Sequence, residues 1–247
     1  MTWRPLLVAV LLTAASPLNF AASSPRIAII IDDIGYRTAA AYRAIELPGP
    51  VACAILPDAP RARQLALAAN EGGKEVLLHL PMDAVGSGRL AEPTQVTLDM
   101  SRASFAAVVD TALGSVPHAI GVSNHRGSLL TRHPGHMRWL MEEMRARDGL
   151  FFVDSYTTHE SVALQIAAEM GVQAVRRDVF LDNDRSEPAI EQEFERLKSL
   201  ATEHGVAVAI GHPYEATLAF LEKEIPRLAE QGFELVPVSE LVNQGVL

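Results

Sequence analysis

Two adjacent aspartates and three histidines carry the chemistry that this sequence offers. Asp32 and Asp33 close the apolar run of "RIAIIIDDIGYR", from Arg26 to Arg37. Neighbouring carboxylates at the edge of an apolar core repel each other and resist desolvation. Something positive has to compensate for them. His79 in "LLHLPMD", His125 in "GVSNHRGS" and His212 in "AIGHP" each stand where an apolar run ends. A single such histidine is usually a satisfied core residue; three at the same end of a parallel fold point to metal ligation. A carboxylate with two imidazoles is a common three-donor set for catalytic zinc, with a fourth position open to water. The bound water's pKa falls to about 7, and a neighbouring aspartate can act as general base. Side chains alternate along a strand, so one aspartate can face the metal and the other the water.

The elements that must position these residues are legible as alternating β and α runs. Candidate strands are Ile27 to Ile31, Val51 to Ile55, Glu75 to Leu78, Ala119 to Val122, Leu150 to Val153, Gln173 to Val175, Val206 to Ile210 and Glu234 to Val236. Most are apolar on both faces, which suits a covered parallel sheet. Helical periodicity fills Arg37 to Glu46, Arg61 to Asn70, Arg102 to Leu113, Pro134 to Arg147, Ser161 to Met170, Ile190 to His204 and Glu215 to Gln231. Seven or eight βα units predict a closed or nearly closed α/β barrel in one domain, with an open doubly wound sheet as the alternative. "DDIGYR" supplies one glycine where a dinucleotide-binding loop needs three. Pro81 to Thr97 reads as a long loop over one end of the barrel.

Nearly every strand hands its C-terminal end to polar residues. Asp32–Asp33 follow the first, His79 to Asp83 the third, and Ser123 to Ser128 the fourth. Asp154 to Thr157, Arg177 to Asp184 and Gly211 to Pro213 follow the fifth, sixth and seventh. In parallel α/β folds those ends form the ligand-binding face. Asp154 and Asp182, taken singly, read equally well as helix N-caps. His118, His133, His136 and His204 read as structural, and His159 is undecided. Ser87 lies in "GSG" with no strand-to-helix elbow, which argues against a serine hydrolase.

The 247 residues are 49% apolar with a formal charge of −9, so one large core is affordable and a nucleic-acid-binding surface is not indicated. Residues 1–23 combine Arg4, the apolar run Leu6 to Leu12 and a small-residue end at "AAS", which resembles a secretory signal peptide, with an uncleaved signal anchor as the rival reading. That predicts a periplasmic or otherwise exported protein, with residues 24–247 as one soluble domain and no membrane span after signal removal. Cys53, in "VACAIL", has no disulfide partner and reads as a buried, inert thiol.

Six blocks, "IIIDDIG", "LLHLPMD", "GVSNHRGS", "FFVDSYT", "RDVFLDND" and "AIGHP", resemble the divergent polysaccharide deacetylases, the YibQ-like branch related to NodB-type carbohydrate deacetylases. The likeness runs from Arg26 to about Val238. It implies an irregular (β/α) barrel of about seven parallel strands, a divalent metal, Zn²⁺ first among the candidates, and a polysaccharide or peptidoglycan-type substrate. It also implies roles. Asp32 is the base, Asp33 and His79 are metal ligands, and His212 is the general acid. The relatives' H-x-x-x-H reads His79-Leu-Pro-Met-Asp83 here, so the third ligand is Asp83 or, preferably, His125. Asp154 is expected to orient a ligand or the acid histidine, and Asn124, Asp83 and Arg177 are assigned to substrate contact. An Arg-Pro-aromatic block of the relatives has no counterpart that can be placed. The implied activity is metal-dependent removal of acetyl groups from a cell-envelope polysaccharide. The alternative is a metal-binding envelope protein that binds glycan, or a cell-wall partner, without turnover.

Overall fold

A computed structural model describes residues 24–86, 92–147 and 149–243, so the predicted signal peptide, 1–23, lies outside the described residues. In chain order the elements are β1 (Arg26–Ile34), α1 (Thr38–Ile45), β2 (Ala52–Ile55), α2 (Ala62–Glu71), β3 (Val76–Met82) and α3 (Arg102–Ser115). They continue with β4 (Ala119–Arg126), α4 (Pro134–Arg145), β5 (Phe151–Asp154), α5 (Ala163–Met170), β6 (Ala174–Arg176) and β7 (Val179–Phe180). The last are α6 (Glu187–His204), β8 (Val206–Gly211), α7 (Glu215–Glu224), β9 (Glu234–Leu235) and α8 (Val238–Asn243).

All strands pair in parallel in the order β6-β5-β4-β3-β2-β1-β8-β7, and β9 lies along the start of β1. This is an irregular, incompletely closed (β/α) barrel. The chain leaves β6, which pairs with β5, and reaches β7, which pairs with β8, across only Arg177 and Asp178. That two-residue switch of partner makes the seam of the barrel.

Strand alternation divides the apolar residues into two cores. Ile27, Ile29 and Ile31 of β1 pack outward against the helices with Phe105, Phe152 and Phe194. Ala28 and Ile30 point inward and meet Ala52, Ala54, Leu77, Val153, Val208 and Ile210. Alanine on three of these inward positions leaves the interior narrow. Burying each large aliphatic side chain contributes about 1.5–3 kcal/mol relative to exposure. Val238, Leu241 and Val242 of α8 join this inner cluster and stop the barrel at its N-terminal end. The Glu75 carboxylate accepts the Val238 amide at 2.8 Å, holding α8 in place by its N-terminus.

Several boundaries differ from the sequence reading. β3 and β4 extend through Met82 and Arg126, so His79 and His125 sit within strands rather than beyond them. Pro81 and Met82 therefore belong to β3, and Val96 from the expected loop bridges to Met82. Pro226 lacks an amide hydrogen, and α7 ends at Glu224 in a short 3-10 turn instead of running to Gln231. Pro188, by contrast, sits in the first turn of α6, where proline is tolerated, and that helix starts at Glu187. β7 and α8 are additional elements. No described helix is long and apolar enough to cross a membrane.

Cys53 lies fully buried on β2, and desolvation pushes its thiol up to about 12. A disulfide reagent such as Ellman's should leave it untouched in folded protein at pH 8. It should titrate one thiol once the chain is unfolded in guanidinium. Rapid labelling of the native protein would contradict the packing described for β2.

Candidate metal centre and active site

The inward columns of the barrel end in polar residues at its C-terminal mouth. Ile30 leads to Asp32, Leu77 to His79, Val153 to Ser155 and Ile210 to His212, each two residues on. Asp33 is out of phase with Asp32 on β1. It takes φ 57°, a left-handed conformation that costs a non-glycine residue free energy, and the pairing of β1 with β2 shifts between Ile31 and Ile34. The result is that both carboxylates serve the same mouth. Asp33 Oδ1 lies 3.1 Å from His79 Nε2 and 2.8 Å from His125 Nδ1. Asp32 Oδ2 lies 3.7 Å from the same His79 nitrogen. Gly35 follows immediately, and a Cβ there would fall 2.5 Å from the Ala59 Cβ, so the turn out of β1 tolerates no side chain.

Neighbours fix each of these groups. His79 Nδ1 is 2.7 Å from Ser123 Oγ, its register partner on β4, so the ring is held with Nε2 toward Asp33. Ser155 Oγ lies 3.4 Å from Asp32 Oδ2, and donates to the Asn124 carbonyl at 2.9 Å. His212 Nδ1 donates to Asp182 Oδ1 at 2.8 Å, which leaves Nε2 facing Asp33 Oδ2 at 3.9 Å. The other Asp182 oxygen accepts the His212 amide and the Thr217 hydroxyl at 2.7 and 2.8 Å. Phe180 stacks on the His212 ring with centroids 5.9 Å apart.

The electrostatics follow from this packing. Burial pushes the Asp32 carboxyl up, and the nearby His79 and His212 only partly offset it. Burial acts the same way on Asp33, but hydrogen bonds with His125 and His79 outweigh it and hold that carboxyl well below the usual range. Burial lowers His79 and His212, yet the carboxylates around each leave both raised. For His212 the hydrogen bond to Asp182 is the main compensating cause.

The donor set fits a divalent cation. One carboxylate oxygen and two imidazole nitrogens, from Asp33, His79 and His125, lie within 4.8 Å of one another. Beside them, the buried Asp32 Oδ1 has no hydrogen-bond partner. An orphaned carboxylate oxygen is costly in a core. A cation with its water, seated among these donors, is the kind of group that removes the cost. Two nitrogens and one oxygen suit zinc.

Other sequence-expected residues are placed elsewhere. Asp154 does not reach His212 or the three donors: one oxygen accepts the Tyr156 amide at 2.8 Å and the other the Ser161 hydroxyl at 2.6 Å. Asp182 stands where Asp154 was expected, because β7 pairs with β8 and brings the "DND" block beside His212. Asp83 lies outside the donor cluster, its oxygens bonded to the Gln95 amide group and the Leu98 amide at 3.0 and 2.9 Å. It fastens the loop after β3. The Asn124 side chain is spent on backbone, donating to the Arg126 carbonyl and accepting the Ser155 amide. Arg177 donates to the Ser155 and Tyr156 carbonyls and lies over the Phe180 ring at 3.7 Å; burial lowers it to about 10. These four residues build the rim. Ser123, Ser155 and Asp182 are the contacts that sequence reasoning missed, although all three lie in the quoted blocks. His159 is exposed in a turn, away from the donors.

Comparison with known proteins shows the family and the fold. A family described as divergent polysaccharide deacetylase matches residues 29–242. A protein of Escherichia coli K12 named YibQ is 35% identical over 236 residues, covering 96% of this chain and 72% of its own. A crystal structure of an uncharacterized protein from Agrobacterium tumefaciens C58 shares the fold with a TM-score of 0.85, at 22% identity and 90% coverage of both chains. A family 4 carbohydrate esterase from Streptomyces lividans, solved with acetate, shares it at 0.51, with 15% identity over 87% of this chain and 93% of that one.

Replacing Ser123 with alanine should weaken Zn²⁺ binding by about tenfold, as loss of a group that orients a ligating histidine commonly does. Asp33→Ala should cost more, and Asp83→Asn should leave affinity unchanged. Competition against a chromophoric chelator measures all three. Equal affinities for wild type and Asp33→Ala would remove the metal centre from this mouth.

Proposed function

Because this chain belongs to the divergent polysaccharide deacetylase family, we propose that it is an exported, metal-dependent hydrolase that removes acetyl groups from a cell-envelope polysaccharide. The observation that carries this reading is the convergence of Asp32, Asp33, His79, His125 and His212 on one barrel mouth. Asp33, His79 and His125 would hold the cation. Zinc bound there would polarise an acetyl carbonyl and lower the pKa of a coordinated water.

The remaining residues supply the proton transfers. Asp32 is buried and its carboxyl is raised, so as a base it is stronger than an exposed aspartate. It takes the proton of the attacking water while the new C–O bond forms. His212, braced by Asp182 and raised toward its protonated form, donates a proton to the departing amine or hydroxyl as the acyl bond breaks. Acetate and the free amine or hydroxyl result. The signal-like residues 1–23 support export, and the family supports a glycan or peptidoglycan-type substrate.

The test is acetate release from N- and O-acetylated glycans by chelator-treated protein resupplied with Zn²⁺. Asp32→Asn should lower kcat by at least a hundredfold with metal affinity retained. Asp182→Asn should lower kcat by about tenfold or more and leave KM nearly unchanged. Zinc binding without any release of acetate by the wild type would sink the hydrolase reading in favour of a glycan-binding protein without turnover.

A further inference from the structure

The barrel seam forms a cavity whose lining includes none of the proposed catalytic or metal-binding residues. It has a volume of about 710 Å³ and runs between α5 and α6, over the gap that separates β6 from the lower half of β8. Its floor is aliphatic, with Leu164, Val175, Leu200, Val206, Val208 and Leu241. Its walls carry Arg176, Arg177 and Arg196. A volume of a few hundred Å³ with an apolar floor and a few charged groups is the usual form of a ligand site.

Two features say what the cavity accepts. The first is unpaired backbone. The Phe152 amide donates to the Gln173 carbonyl and the Arg177 amide to the Asp154 carbonyl, so the odd-numbered residues of this stretch serve β5. In a parallel ladder the N–H and C=O of Ala174 and Arg176 then point the other way, into the gap. Across it, Asp178 and Leu181 donate to the Val208 and Ile210 carbonyls, and the Val208 amide donates to the Asp178 carboxylate. Val206, of the same phase, faces the gap below the reach of β7, which pairs only with Ala209 and Ile210. Two strand edges thus face each other across a wedge that opens downward from Asp178.

The second feature is charge. Arg176 lies over the Tyr156 ring, and among the described residues no carboxylate comes within ion-pair distance of it or of Arg177, although Asp154 acts on both from farther off. Among the described residues, Arg196 pairs with Glu193 of its own helix at 3.2 Å, and the arginine is the more exposed of the two. The single carboxylate in the lining, Asp178, is occupied by a backbone amide. In a chain of net charge −9, this is a local cationic cleft.

We propose that the seam binds an extended acidic peptide, which adds as a short strand to the free edge of β6 and sets its carboxylates against Arg176 and Arg196. Main-chain hydrogen bonds to Ala174, Arg176 and Val206 give the affinity, apolar side chains of the peptide cover the valine and leucine floor, and the arginines select for acid. The cavity takes in none of the metal-site donors and meets the rim of the mouth only through Arg177 and Tyr156, so peptide binding there does not require turnover.

The test uses the full chain and a fluorescein-labelled hexapeptide of alternating Glu and Val, read by anisotropy. Binding should be saturable, weaken as salt rises, and protect the Ala174, Arg176 and Val206 amides from hydrogen exchange. The paired change Arg176→Ala with Arg196→Ala should weaken it about tenfold, with circular dichroism and Zn²⁺ affinity unaltered. A Lys-Val peptide should fail to bind, and so should a Glu-Pro peptide of equal charge that cannot form the ladder. Equal binding by the Lys-Val or Glu-Pro peptide, or protection confined to other strands, would overturn the proposal. Competition at equal affinity by an oligogalacturonate of similar charge would reassign the cleft to acidic glycans and overturn it as well.

Discussion

A strand sends consecutive side chains to opposite faces, so two neighbouring carboxylates cannot both face one mouth from an ordinary strand end. β1 meets this constraint at Asp33, whose left-handed backbone turns its side chain back toward Asp32's side. Such a conformation costs about 1–3 kcal/mol and persists only where the surroundings over-determine it. Here they do: two imidazoles, from β3 and β4, hold the Asp33 carboxylate. Arg126 and Tyr156, just past the working parts of β4 and β5, also have positive φ. Strain is thus concentrated around the same opening, and the rest of the mouth is built to sustain it.

That support comes from a rigid interior. The inward residues beneath the site are closely packed and apolar, mostly alanine, valine and isoleucine with Leu77 below His79, and the polar residues above them continue the same columns. Serines and an asparagine link one strand end to the next: Ser123 to His79, Ser155 to Asn124 and to Asp32. A displacement of one strand would therefore be felt by several donors at once. The separation of roles between Asp32, with its raised carboxyl, and Asp33, with its depressed one, arises from this network rather than from the aspartates themselves, which are chemically identical.

The sequence made the barrel legible because its longer strands, β1 to β5 and β8, stand in apolar runs of four or more residues separated by helical periods. It made Asp33, His79 and His125 legible because their types are those of metal ligands and their positions close three such runs. What it concealed depended on short or tertiary features. β7 is two residues long, too short for any periodicity, and only its pairing with β8 reveals that Asp182 rather than Asp154 braces His212. Asp154 and Asp182 look alike in sequence, each a carboxylate after an apolar run. Ser123 was hidden for a different reason: its contact with His79 is a matter of register between β3 and β4, which spacing along one strand does not encode. Asp83, Asn124 and Arg177 were in the right neighbourhood, but their hydrogen-bonding capacity is consumed by backbone groups that no sequence pattern advertises.

The helical plug at the foot of the barrel bears on how the chain folds. β1 contributes Ala28 and Ile30 to the inner cluster, yet the last wall of that cluster is Val238, Leu241 and Val242, some two hundred residues later. β1 is also flanked by β8 and β9, both from the end of the chain. Synthesis delivers β1 and its neighbour β2 early, and its other neighbours, β8 and β9, late. Until they arrive, the central strand has one side unpaired and the inner cluster stays open to water. Contacts this distant in sequence are slow to form, since loop closure must precede their reward. The interior beneath Asp32 and Asp33 is thus closed by residues far along the chain from the strand that carries the pair.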